Sequence, residues 1–369
     1  MKLSPDDIAY LTLALVPGIG RSRLDMLLAA FGSCENALGA SHRALTRVVD
    51  ISPAAATAIC DATPNMGEKV VKRAIEMGAH VLLPKHEQFP SSLRQIPKAP
   101  TLLFAKGRLE LLDSECTAIV GSRAHTRYGA GACRMFASGL SRAGLTVVSG
   151  MARGLDAIAH TATLDVGGGT IGVLGNGLGV VYPAANRALY ERVAADGCLL
   201  TEHPPGERPN AGSFPKRNRL ISGLSRVTLL IEARERSGAL ITAGCALAQG
   251  HEVLAVPGPI TSPVSVGCNR LIQQGAKPAL GLRDVLEEYG MSMGDAPAVA
   301  IANDLTAEER EMLDILDQGL EQVDEVAHRA GMSVPEVLAV LTSLEIRGLV
   351  TQDPGKLFRP VQPLTVAET

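Results

Sequence analysis

The segment Phe214-Pro-Lys-Arg-Asn-Arg-Leu-Ile-Ser-Gly sets Lys216, Arg217 and Arg219, with Asn218, beside an aromatic ring in a 369-residue chain that has no Trp and only 3% aromatics. Cations hold phosphates while a base stacks on the ring, the combination by which proteins grip single-stranded nucleic acid. The same residues also suit the first turn of an amphipathic helix, with Phe214 as its apolar staple and the charges solvated. Two more segments carry compatible chemistry. Gly121-Ser122-Arg123 and Ser149-Gly150-Met-Ala-Arg153-Gly154 each end a β-rich apolar run and open a helical one. Glycines at such turns let the backbone approach a phosphate, and helix N-terminal amides favour an anion. Arg123 and Arg153 add fixed charge suited to bidentate phosphate contact. Tight turns in any doubly wound sheet would use the same glycines. Ser237-Gly238, after Glu232-Ala233, reads as a helix N-cap with room for a ligand. Asp156 and Glu232 could each orient a rim arginine or cap a helix, and His160 reads as a packed histidine.

Composition narrows what these residues can serve. A net charge of -3 excludes coating duplex DNA by bulk positive charge, so a nucleic-acid site must be a local patch. Hydrophobic content of 46% suits packed cores. The seven cysteines, at 34, 60, 116, 133, 198, 245 and 268, form no CxxC pair and no zinc-spaced Cys/His cluster. They read as thiols of a reducing compartment, with no metal expected. The N-terminus lacks a secretory n-region and no apolar run reaches spanning length, so a soluble, cytoplasmic chain with no membrane partner is expected. Gly175-Asn-Gly-Leu-Gly179 does not have GxGxxG order, and no GxxxxGK[ST] occurs. No catalytic residue and no cofactor is expected.

The elements that must position these residues follow a rhythm. Runs at Thr117–Val120, Thr146–Ser149, Thr170–Leu174, Cys198–Glu202, Thr228–Ile231 and Glu252–Val256 predict strands. Helices are predicted between them, among them Ala130–Ala143, Ala157–Leu164 and Ala239–Gln249. This alternation predicts an α/β fold with a mostly parallel sheet covered on both faces, where ligands bind at the carboxyl ends of strands. Residues 1–82 read as a helical domain in which Pro17-Gly-Ile-Gly20 suggests a helix-hairpin-helix turn. Residues 83–290 form the α/β domain, 291–303 a linker, 304–362 a three-helix unit with a β-wing, and 363–369 a tail.

In order along the chain stand Gly121-Ser-Arg, Ser149-Gly-Met-Ala-Arg-Gly-Leu-Asp-Ala-Ile-Ala-His160, Val181-Tyr-Pro183, Thr201-Glu-His-Pro204, Phe214-Pro-Lys-Arg-Asn-Arg219, Ser237-Gly-Ala-Leu-Ile-Thr-Ala243, Val256-Pro-Gly258 and Gly267-Cys-Asn-Arg-Leu-Ile-Gln-Gln-Gly275. This set closely resembles the DNA-processing protein A family (DprA, also called Smf) over roughly residues 86 to 280. The resemblance implies an extended Rossmann-like domain that binds single-stranded DNA without sequence preference, a homodimer through that domain, and loading of the RecA recombinase during natural transformation. It also implies a sterile-alpha-motif-like N-terminal domain and a C-terminal winged helix. Carried onto this chain, Ser122, Arg123, Ser149 to Arg153, Phe214, Lys216, Arg217 and Arg219 would line the DNA pocket. Two other readings remain. A nucleotide-processing enzyme is disfavoured by Arg234-Glu-Arg-Ser-Gly-Ala-Leu-Ile-Thr at the place of a Pro-Gly-Gly-x-Gly-Thr-x-x-Glu motif. A winged-helix transcription regulator is disfavoured by a third tail helix, Val334–Arg347, with one cation and two glutamates. Such a helix suits protein contact.

Overall fold

The computed structural model describes residues 3–291, 306–319, 322–346, 349–353 and 357–360. Two compact units divide the chain, Met1–Pro297 and Ala298–Thr369. The expected linker, beyond Met291, and the expected tail lie outside the described residues.

The first unit is built on a nine-stranded sheet: β1 His80–Leu82, β2 Leu103–Gly107, β3 Cys116–Val120, β4 Thr146–Ser149, β5 Thr170–Val173, β6 Cys198–Thr201, β7 Val227–Leu230, β8 Glu252–Ala255 and β9 Lys277–Pro278, in spatial order β1-β2-β6-β5-β4-β3-β7-β8-β9. β3 to β9 are parallel, and β1 and β2 pair antiparallel at one edge. The six predicted strands are all present, shifted by at most a residue at either end. β1, β2 and β9 were not predicted: β1 and β9 span three and two residues, and β1 and β2 carry no repeating βα rhythm. The chain runs from β3 outward to β6, then returns to the other side of β3 for β7. The strand order therefore reverses between β3 and β7, the crevice where open sheets bind ligands.

Successive side chains of the central strands enter opposite cores. Val147 and Leu199 pack on one face, Val148 and Leu200 on the other, all fully buried. Each such side chain contributes roughly 1.5–3 kcal/mol of burial, which is why these strands read as unbroken apolar runs. Helices Arg127–Arg142 and Leu155–Asp165 cover the first face; Ser213–Gly223, Gly238–Ala248 and Val266–Gln273 cover the second. The N-terminal helices, from Pro5–Leu15 to Pro64–Glu76, share one hydrophobic cluster with Phe104 and Leu199 of the sheet and with Met151 and Leu174 at strand ends.

A polar junction joins these helices to the sheet. Ser4 and Asp7 form a capping box on Pro5–Leu15, and Lys85 Nζ lies 2.8 Å from Asp7 Oδ1. His86 accepts the Leu83 amide at Nδ1 (3.3 Å), leaving Nε2 to donate to Asp7 at 3.4 Å. Burial alone would raise the Asp7 carboxyl, but the Lys85 ammonium and the Ser4 amide and hydroxyl more than offset it and hold it at about 2.

The second unit holds helices Ala307–Asp317, Val323–Ala330 and Val334–Ile346 and an antiparallel hairpin, β10 Val350–Asp353 with β11 Leu357–Pro360. Gln322 makes one antiparallel bridge to Leu357 beside the hairpin. Thr306 and Glu309 cap the first helix reciprocally, and Met312, Leu316, Val326, Val337, Leu341 and Phe358 form a core of its own. This is the predicted winged helix.

One pH prediction follows from the polar junction. The folded carboxyl of Asp7 titrates below its ordinary range, so its stabilisation is present above about pH 4 and is lost as pH falls through about 2. Asp7→Asn is expected to cost about 1–2 kcal/mol at pH 7, discounted for the half-exposed Lys85. Urea unfolding of both proteins across pH 7 to 2 should show the gap closing as the pH drops.

Candidate nucleic-acid interface

The loops that follow β3, β4 and β5 meet at the carboxyl edge of the sheet, and the start of helix Ser213–Gly223 lies against them. The first two loops touch directly. Gly154 adopts φ +83°, and a Cβ there would lie 2.5 Å from the Ser122 carbonyl and 2.7 Å from Arg123 Cα, so only glycine fits. The Leu155 amide donates to the Ser122 carbonyl at 3.2 Å. Gly121 packs on Leu155, and the Ser122 hydroxyl closes its own turn, donating to the Ala124 carbonyl and accepting from its amide. Arg123 and Arg153 are exposed at this shared rim.

Arg217 enters from the helix. Its Nη1 donates to the Gly150 carbonyl (2.7 Å) and to the Val173 carbonyl, tying the end of β4 to the end of β5. A Cβ on Gly150 would lie 2.6 Å from Arg217 Nη2 and 2.7 Å from Asp156 Oδ2. The guanidinium is 6% exposed, and burial lowers it to about 10 against the favourable charge of Asp156, so it remains a cation at neutral pH. Burial raises the Asp156 carboxyl in turn, against the pull of Arg217 and the Ala152 amide at 3.3 Å. The loop between is held in strain. Met151 is a buried non-glycine residue at φ +56°, and Asn186 Nδ2 donates to the Met151 and Ala152 carbonyls at 3.0 and 3.1 Å.

The predicted site residues therefore divide. Arg123, Arg153 and Lys216 are exposed, and Phe214 is half-buried at the same edge. Arg217, Asn218 and Ser149 are turned inward, as side chains on the core side of their elements must be. Asn218 Nδ2 reaches the Gly238 carbonyl at 3.2 Å, and the Ser149 hydroxyl donates to the Ile119 carbonyl at 2.6 Å. Arg219 pairs with Glu202 at 2.6 Å, which leaves Lys216 as the exposed cation of its segment. Ser237 caps helix Gly238–Ala248 through the Ala239 amide at 3.3 Å. His160 is fully buried and held neutral, lowered to about 3 by burial. Its Nδ1 lies 2.7 Å from the Thr170 hydroxyl, which donates onward to the Val147 carbonyl, so Nδ1 carries the proton.

The crevice between β3 and β7 is filled from within. Glu232 is 2% exposed, and its carboxylate accepts the Thr126 amide at 2.9 Å and the Thr126 hydroxyl at the N-terminus of helix Arg127–Arg142. An internal carboxylate thus takes the anion position where a nucleotide phosphate would bind such a fold.

Sequence reasoning missed Tyr182. It is 47% exposed, and its ring centroid lies 5.3 Å from that of Phe214 with planes 33° apart. The signal was the Val181-Tyr-Pro183 match, which marks the position but not its neighbour.

With this geometry, the match to the DNA recombination-mediator protein A family over residues 80–290, and to the DprA winged helix domain over 296–356, accounts for both units. The chain belongs to the DprA family. It is 41% identical over 294 residues to protein Smf of Escherichia coli strain K12, covering 77% of this chain and 79% of that protein. The crystal structure of DNA processing protein A from Streptococcus pneumoniae superposes with a TM-score of 0.66 at 34% identity, covering 78% of this chain and 99% of that one. A DNA processing protein A from Helicobacter pylori, described for its single-stranded DNA binding mode, superposes at 0.53 with 28% identity, covering 57% of this chain and 95% of that one.

The inward arginine generates the second prediction. Arg217→Ala leaves two strand-end carbonyls and Asp156 without their partner, so a loss of about 3–5 kcal/mol in stability is expected. Arg123→Ala and Arg153→Ala should stay within about 0.5 kcal/mol of the parent protein. Denaturant midpoints of the three variants check this contrast.

Proposed function

We propose that this protein binds single-stranded DNA without sequence preference, protects it, and delivers it to the RecA recombinase, acting as a homodimer through its Rossmann-like unit and without catalysing a reaction. The observation that carries the DNA reading is the gathering of exposed Arg123, Arg153 and Lys216 with the Phe214 ring at one edge of the sheet. Backbone-directed cations supply affinity, and a ring accepts any base face. The relative from Helicobacter pylori described for single-stranded DNA binding supports the same reading. The Glu232 carboxylate in the central crevice speaks against a nucleotide-processing enzyme, because it occupies the place of the substrate phosphate. Delivery to RecA and the dimer rest on family membership.

A mobility-shift titration of the full chain on single- and double-stranded oligonucleotides is the direct test. Single strands should bind more tightly. Arg123→Ala, Arg153→Ala or Lys216→Ala should each weaken binding by about 1–3 kcal/mol and reduce the salt slope by about 0.7. Phe214→Ala should lose about 1–3 kcal/mol with little dependence on base identity. Unchanged single-strand affinity in all four variants would remove the interface. For delivery, the protein should shorten the lag of RecA filament growth on the strand.

A further inference from the structure

We propose that Tyr182 is a second stacking ring of this interface, so that Tyr182 and Phe214 each receive a base of the same strand; this rests on the single-strand reading above. Six Phe and five Tyr make up the aromatics of the whole chain. Among the described residues, Tyr128 and Tyr182 are the aromatic side chains left exposed. Tyr128 has a partner, donating its hydroxyl to the Pro257 carbonyl at 2.8 Å. Tyr182 makes no hydrogen bond among the described residues and leaves nearly half its surface in water.

The two rings form one surface. A base slipped between them would need a centroid spacing of about 7 Å, twice the roughly 3.4 Å rise of stacked bases. The observed 5.3 Å and 33° tilt close that gap, so bases stack on the outer faces. Phe214 cannot retreat, because Gly175 lies against its Cδ1 and Cε1 atoms so closely that a Cβ there would sit 2.8 Å from Phe214 Cδ1. The segment carrying Tyr182 is equally fixed. Asn176 Nδ2 donates to the Val180 carbonyl at 2.7 Å, and Asn186 ties the far end of the segment to the loop that bears Arg153. A ring held between two anchored asparagines, one of them tied to the loop that bears Arg153, is already placed for a base.

The chain has no Trp, so its intrinsic emission comes from tyrosine. Titrating the full chain with oligo(dT) should quench part of that emission. Tyr182→Phe should remove this quench and keep affinity within about twofold, since stacking needs the ring and not the hydroxyl. Tyr182→Leu should weaken oligo(dT) binding about tenfold yet bind an abasic strand of equal length as the parent protein does. Two results overturn the proposal: Tyr182→Leu binding oligo(dT) like the parent, or losing both strands equally, which marks a loop-shaping role. Failure of the parent protein to bind any single strand would instead sink the reading on which this one rests.

Discussion

The buried Arg217 guanidinium is the interaction on which the carboxyl edge of the sheet depends. Parallel strands end with carbonyl groups pointing into the same space, and two of them, from Gly150 and Val173, converge without a strand to receive them. Water could satisfy such groups only by opening the sheet edge. A fork of N–H donors satisfies both while remaining charged, which lysine's single ammonium would do less well. The arrangement has strict requirements. Residue 150 must lack a Cβ, Asp156 must stand close enough to balance the charge, and the helix bearing Arg217 must pack against the ends of β4 and β5. Those requirements fix the positions of Arg153, Lys216 and Phe214, which neighbour the clamp in sequence and point elsewhere.

A second buried charge decides where a ligand does not go. Glu232 satisfies the amide and hydroxyl of Thr126, so the helix dipole at the strand-order reversal is answered internally. A phosphate there would meet a desolvated carboxylate. The open positive charge is displaced to the β3–β4–β5 side, where Arg123 and Arg153 share a rim. One sheet edge thus holds an anion position closed by the protein's own side chain and, beside it, two arginines left to solvent.

How far the sequence reveals this depends on what periodicity records. Apolar β-branched runs report strands buried on both faces, so β3 to β8 were legible. The antiparallel β1 and β2 and the two-residue β9 were not, because β1 and β2 stand outside the βα alternation and β9 is too short to show a pattern. Glycine-arginine turns marked the two loops that meet at the rim, because only glycine fits where the loops touch. The Phe214 segment was legible as a cation cluster, but not which cation faces outward. Residues one apart on a helix differ by about 100° in direction, and only the tertiary docking of helix Ser213–Gly223 sets Lys216 out, Arg217 in and Arg219 against Glu202. The pairing of Tyr182 with Phe214 joins residues 32 positions apart, a contact that no local pattern encodes. The helical N-terminus looked separate for a related reason: periodicity identifies helices but not the surface that buries them, and here that surface is the sheet around Phe104 and Leu199.

Charge economy connects the edge to the whole molecule. With a net charge of -3 the protein as a whole does not attract polyanions, so affinity must come from the few cations at the interface. Three exposed cations neutralise about three phosphates, which corresponds to a salt slope near -2 on a single strand. A site of that strength would grip a short stretch of strand and release it readily. Holding longer strands against competing proteins calls for a second copy of the same site at high local concentration, and linking two weak sites multiplies their retention without any new contact. The modest patch on one chain is what the proposed dimer would compensate: exchange would stay fast at each edge, while the pair would keep the strand from leaving.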